Sequence, residues 1–85
     1  MGPSVDPMTW TESDGRLTKD FEFEDFPAAF AFMTRVAFLA EKLHHHPEWS
    51  NVYNKVSIAL TTHEQGNTVT DYDREFAAAV DKLVS

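Results

Sequence analysis

The sequence predicts an α+β fold, a two-layer sandwich in which an antiparallel sheet of about four strands carries helices on one face. Two segments place apolar residues at three- and four-residue steps, other segments alternate apolar with polar residues, and the strand segments are joined by turns too short for a parallel crossover. In 85 residues there is room for one hydrophobic core. Residues 10–85 are therefore read as a single domain, and residues 1–9 as a disordered tail or a remnant of cloning.

Order is expected to begin near Trp10, where a short strand runs into the turn signal Asp14-Gly15. Residues 17–24 read as a half-buried strand, with Phe21 and Phe23 on one face and Glu22 and Glu24 on the other. Asp25 can cap a following helix, and Pro27 suits its first turn. Phe26, Phe30, Met33, Val36, Ala37 and Ala40 recur at helical spacing and are assigned to the core; the helix runs to about Leu43, and Pro47 bars its continuation. Val52 and Tyr53, an Asn54-Lys55 turn, and then Val56, Ile58 and Leu60 alternating with Ser57, Ala59 and Thr61 read as a hairpin. Continued alternation puts His63 at the strand end, on the face of Ala59 and Thr61. Gly66 and Asn67 supply a loop, and Thr70 with Asp73 forms a capping box opening a helix through Phe76, Ala77, Val80, Lys82 and Leu83.

Fourteen acidic against seven basic side chains give a net charge of −7, which disfavours docking on nucleic acid or on an anionic membrane surface. Without cysteine there is no disulfide, thiolate metal site or thiol nucleophile. No segment reaches the roughly 18 apolar residues of a membrane span, so the expected location is the cytoplasm. A core this small gains from burial against a second subunit, and a homo-oligomer is expected.

The unusual feature is the run Glu41, His44, His45, His46, Pro47, Glu48 and Trp49, which holds three of the chain's four histidines. Glu41 and His45 are four apart, so on a continuing helix the carboxylate could fix the imidazole tautomer and favour its protonated form, as a general acid requires. The same residues also suit a solvated helix end, where histidine favours the dipole; His44 is read as surface filler. Metal binding is a third reading, opposed by the lack of any standard zinc spacing. His63 stands near Glu64 and is either a structural residue or the second half of an acid/base pocket. Capping alone accounts for Asp73, and Trp49 and Tyr53 fit a core, a ligand floor or an oligomer contact.

The run Glu41-Lys42-Leu43-His44-His45-His46-Pro47-Glu48-Trp49, then Asn51-Val52-Tyr53-Asn54-Lys55-Val56, Leu60-Thr61-Thr62-His63 and Asp73, closely resembles the pterin-4a-carbinolamine dehydratase family, also described as dimerization cofactor of a homeodomain transcription factor. The likeness extends upstream through Phe21, Phe23, Asp25-Phe26, Ala29-Phe30 and Phe32-Met33-Thr34-Arg35-Val36-Ala37. It implies a four-stranded antiparallel sheet backed by helices, assembled as a homodimer or homotetramer. It implies catalytic roles for His45, His46 and His63 with Glu41, and a pocket lined or braced by Trp49, Thr61, Thr62 and Asp73. The implied reaction expels the 4a-hydroxyl of a tetrahydropterin as water, giving the quinonoid dihydropterin, with pterin as substrate and no cofactor or metal. His45 and His63 are assigned as the acid/base pair, and His46 binds the pterin. The loop over residues 64–70 is one residue longer than usual in that family, with its glycine displaced.

Overall fold

At Asp14 and Gly15 the backbone takes positive φ, 53° and 77°, the geometry of a tight hairpin turn. This turn joins β1 (Thr11–Ser13) to β2 (Arg16–Glu22), with Thr11 opposite Thr18 and Ser13 opposite Arg16. The computed structural model describes residues 10–84; the expected tail, residues 1–9, lies outside them.

The strand expected over residues 17–24 ends two residues earlier. Phe23 leaves the ladder and donates its N–H to Asn54 O at 2.8 Å, while the Asn54 side chain donates back to Phe23 O at 2.9 Å. Asp25 then accepts from Ala28 N at 2.9 Å and caps α1 (Phe26–Leu43). β3 (Glu48–Val52) and β4 (Lys55–Leu60) form the second hairpin, whose turn lies at Tyr53 and Asn54 rather than at Asn54-Lys55. Tyr53 takes φ 50°, and Asn51 steadies the turn through Tyr53 O and Lys55 O. The last helix is α2 (Asp71–Val84).

All strands pair antiparallel in the order β1-β2-β4-β3, the expected α+β class. Register puts Leu17 opposite Leu60 and Phe21 opposite Val56, so these side chains share the buried face with Ile58. Against them pack Ala29, Phe32, Val36 and Ala40 of α1 and Phe76, Ala77 and Val80 of α2. Thr18, Asp20, Ser57 and Ala59 lie on the other face, away from the helices.

The core stripe of α1 corrects the expected one. Val36 and Ala40 are buried as assigned and Met33 is half-buried, but Phe26 and Phe30 are 43% and 54% exposed and Ala37 is exposed. Two stripes in this helix satisfy helical spacing, and the one containing Ala29 and Ala40 lets the helix approach the sheet more closely. A further correction concerns His63: β4 ends at Leu60, Thr61 and Thr62 are both buried, and His63 opens a short 3₁₀ turn, His63–Gln65.

Across the sheet's other end, Trp10 Nε1 donates to both oxygens of Asp81 at 3.1 Å, and Lys19 reaches the same carboxylate at 2.9 Å. These contacts fasten α2 to the first strands. No helix among the described residues is long and apolar enough to cross a membrane.

Candidate active site

His44 stops α1. Its φ of 54° is left-handed, and its N–H turns back to Ala40 O and Glu41 O, while His45 N bonds Ala40 O at 3.1 Å. The condition for a Glu41–His45 pair, a helix continuing through residue 45, therefore fails. Beyond this cap the two following imidazoles diverge. His45 turns inward and is only 12% exposed at its side chain; His46 turns outward and meets Glu41, Nε2 to Oε2, at 2.7 Å. Glu41 is thus the partner of His46, whose hydrogen bond holds the Glu41 carboxyl below its ordinary value.

His45 instead meets Asp73, with Nε2 at 2.5 Å from Oδ1. Asp73 is fully buried, and its Oδ2 accepts from the Thr62 hydroxyl at 2.7 Å and from Thr70 N at 2.9 Å. The capping box is therefore half formed: Asp73 reaches the Thr70 N–H, but the Thr70 hydroxyl bonds the Thr62 hydroxyl at 2.7 Å. Burial pushes the Asp73 carboxyl up, the largest single influence on it, but the donors on His45, Thr70 and Thr62 together hold it below its ordinary value. An ionised carboxylate only accepts, so His45 Nε2 carries a proton and the neutral ring has its lone pair on Nδ1. Phe76 lies edge-on to the His45 ring at 6.1 Å, and Tyr72 lies 6.0 Å from it at a tilt.

His63 is more exposed. Its Nδ1 meets Asn67 Oδ1 at 2.8 Å and its Nε2 lies 3.8 Å from Glu48 Oε2, while Glu64, its expected neighbour in the chemistry, makes neither contact. Glu48 is held by Arg16, Nε to Oε1 at 2.9 Å and Nη2 to Oε2 at 3.2 Å, and that bond lowers its carboxyl below the ordinary value.

These contacts close a ring. His45 touches Asp73, Asp73 touches Thr62, Thr62 precedes His63, His63 faces Glu48, and Glu48 returns through Pro47 and His46 to His45. The two histidine-bearing segments are thereby joined at both ends. Thr61 and Thr62 are braces: the Thr61 hydroxyl donates to Gly15 O at 2.8 Å, and that of Thr62 is committed to Asp73 and Thr70. Trp49, 36% exposed, stands opposite Ile58 beside Glu48 and borders a shallow hollow of about 290 Å³ on the sheet. Residues that sequence reasoning left without a role are Glu48, Arg16 and Asn67, which become visible only once the strand register and the loop are known. Among the described residues no group of three or more His, Cys, Asp or Glu side chains is placed to hold a metal ion.

Residues 4–83 match the family model described as pterin 4 alpha carbinolamine dehydratase. A relative from Synechococcus sp. (strain WH7803), provisionally named pterin-4-alpha-carbinolamine dehydratase, is 55% identical over 74 residues, 87% of this chain and 78% of its own. One from Rhizorhabdus wittichii with the same provisional name is 54% identical over 76 residues, 87% and 77% of the two chains. Among solved structures, the transcriptional coactivator/pterin dehydratase from Brucella melitensis superposes with a TM-score of 0.84 at 42% identity, covering 89% of this chain and 82% of that one. A pterin dehydratase-like protein described as a RuBisCO assembly factor in the alpha-carboxysome superposes at 0.74 with 29% identity, covering 88% of each. With four-fifths and more of its length matched and its sheet and helices shared with these neighbours, the chain belongs to the pterin 4 alpha carbinolamine dehydratase family.

Proposed function

We propose that the chain dehydrates a 4a-hydroxy-tetrahydropterin to the quinonoid dihydropterin and water, by histidine acid/base catalysis. The observation that carries this reading is the closed ring of contacts through His45, Asp73, Thr62, His63 and Glu48. In the reaction the C4a–O bond breaks, the hydroxyl leaves with an added proton as water, and a ring N–H loses its proton, so one donor and one acceptor suffice. In its imidazolium form His45, held at Nε2 by the buried Asp73 carboxylate, is the donor through Nδ1. His63 accepts at Nε2, and the exposed His46 with Glu41 orients the pterin beside Trp49. Protons given and taken balance, and the step needs no further cofactor.

The setting of this reaction is the recycling of pterin for aromatic amino acid hydroxylases, in the cytoplasm, by a homodimer or homotetramer. The exposed face of α1, with Phe30 and Phe38 at 54% and 72%, is the surface offered for self-association. That same face, with the likeness to a described assembly factor, favours a second reading as a non-catalytic assembly module. Retention of all the site histidines weighs against it, since docking through α1 does not require them. The site is tested by titrating an unreactive pterin while following the imidazole resonances: shifts at His45, His46 and His63 are expected, and shifts elsewhere with these three unmoved would defeat the reading.

A further inference from the structure

The two imidazoles of the proposed proton transfers are held by different partners. His45 is fixed by a buried carboxylate, whereas His63, 58% exposed at its side chain, has Asn67 and Glu48 near its ring nitrogens among the described residues. Asn67 Oδ1 is an acceptor, so the 2.8 Å contact requires the proton on His63 Nδ1 and leaves the Nε2 lone pair free in the neutral ring. Glu48 Oε2, at 3.8 Å, is too far from Nε2 for a hydrogen bond, so the carboxylate faces this nitrogen without bonding to it. Its two bonds from Arg16 keep the carboxylate from swinging onto the ring.

We propose that Asn67 and Glu48 are positioning residues for His63: Asn67 sets the tautomer that leaves Nε2 open as a base, and Glu48, clamped by Arg16, stabilises the ring once Nε2 has taken a proton. The inference rests on the dehydratase reading for its catalytic meaning, but not for its geometry. Asn67 lies in the loop over residues 64–70, at φ 58°, a conformation that asparagine tolerates better than most residues. The loop is held to the rest of the site by Thr62 N to Thr68 O at 2.9 Å and by Asn67 N to Thr62 O at 3.1 Å, so the amide has a fixed base from which to reach the ring. The charged neighbours of His63 are Glu48 on β3, Arg16 on β2 behind it, and Glu64 next in the chain.

The test is the nitrogen spectrum of the His63 ring in its neutral form, for the full chain and three variants. Asn67→Gly removes the acceptor without straining a positive φ, Asn67→Asp restores an oxygen there, and Glu48→Gln removes the charge while keeping the shape. The wild type and Asn67→Asp are expected to show Nδ1 protonated, and Asn67→Gly to move the proton to Nε2. In the dehydration assay kcat is expected to fall about tenfold in Asn67→Gly and severalfold in Glu48→Gln, with KM within about twofold in both, because only the chemical step is touched. A wild-type ring protonated at Nε2, or an Asn67→Gly spectrum identical to the wild type, overturns the role of Asn67; an unchanged kcat in Glu48→Gln overturns that of Glu48. The spectra need no substrate, so a wild type with the expected tautomer but no turnover would count against the dehydratase reading alone.

Discussion

Asp73 and His45 meet at 2.5 Å, one side chain fully buried and the other nearly so, 28 residues apart in the chain. The contact ties the first turn of α2 to the segment leaving α1, and the same carboxylate holds Thr62 and Thr70. The end of α1, the start of α2 and the segment after β4 thus meet at one carboxylate.

Asp73→Asn keeps the size but turns an amide NH₂ toward at least one existing donor, leaving a buried mismatch. A loss of about 2–4 kcal/mol is expected in denaturant unfolding, with kcat reduced far more than KM. The pH dependence has a definite sign. Because the folded carboxyl is held below its unfolded value, the stability it contributes is complete above about pH 4 and is lost as pH falls through the lower, folded value. Unfolding midpoints measured from pH 6 downward should drop in the wild type below about pH 4, and that component should be missing from Asp73→Asn.

Gly15 and Gly66 both have positive φ, but they differ in surroundings. A Cβ on Gly15 would collide with Asn67 O, whereas one on Gly66 meets nothing among the described residues within 4 Å. Gly66→Ala should cost about 1 kcal/mol through backbone strain alone. Gly15→Ala should cost more, about 2–3 kcal/mol, and should also lower kcat by pushing the loop that carries Asn67 and His63. Thermal melts and steady-state kinetics of the two variants side by side check this ordering.

Glu41 and His46 are both exposed, and their pair is screened by water and salt. Glu41→Gln is expected to leave the unfolding midpoint unchanged within error. If His46 orients the pterin as proposed, any loss should appear in KM and should shrink as salt is raised.

Phe38 points outward from α1 at 72% exposure. If this face joins subunits, Phe38→Glu should convert the oligomer seen by sedimentation to a smaller species while each subunit keeps its far-ultraviolet spectrum. A monomer in the wild type at tens of micromolar would show that this face does not join subunits.

Much of the architecture could be read from residue order. Alternation located the buried strand faces, and capping and proline placed both ends of α1 closely. The phase of α1 could not be read, because Phe26, Phe30 and Phe38 complete a second apolar stripe beside the stripe of Ala29, Phe32, Val36 and Ala40, and only packing distinguishes them. In the site, the resemblance points to His45, His46, His63, Glu41 and Asp73, but spacing alone pairs Glu41 with the wrong imidazole. The Glu41–His45 spacing presumed a helix that His44 ends, so Glu41 meets His46 and the carboxylate behind His45 comes from α2. Glu48, Arg16 and Asn67 carry no sequence signal for their contacts, which arise from strands and a loop meeting in space.

Dehydration of a carbinolamine is the activity proposed for the site built around His45, Asp73, His63 and Glu48. The most direct measurement follows the decay of a freshly generated 4a-hydroxy-tetrahydropterin at neutral pH, with chelator present, comparing wild type with His63→Ala. Acceleration by the wild type is expected, surviving chelation and falling by about 10²-fold or more in the variant. A wild-type rate no faster than the spontaneous reaction would contradict it.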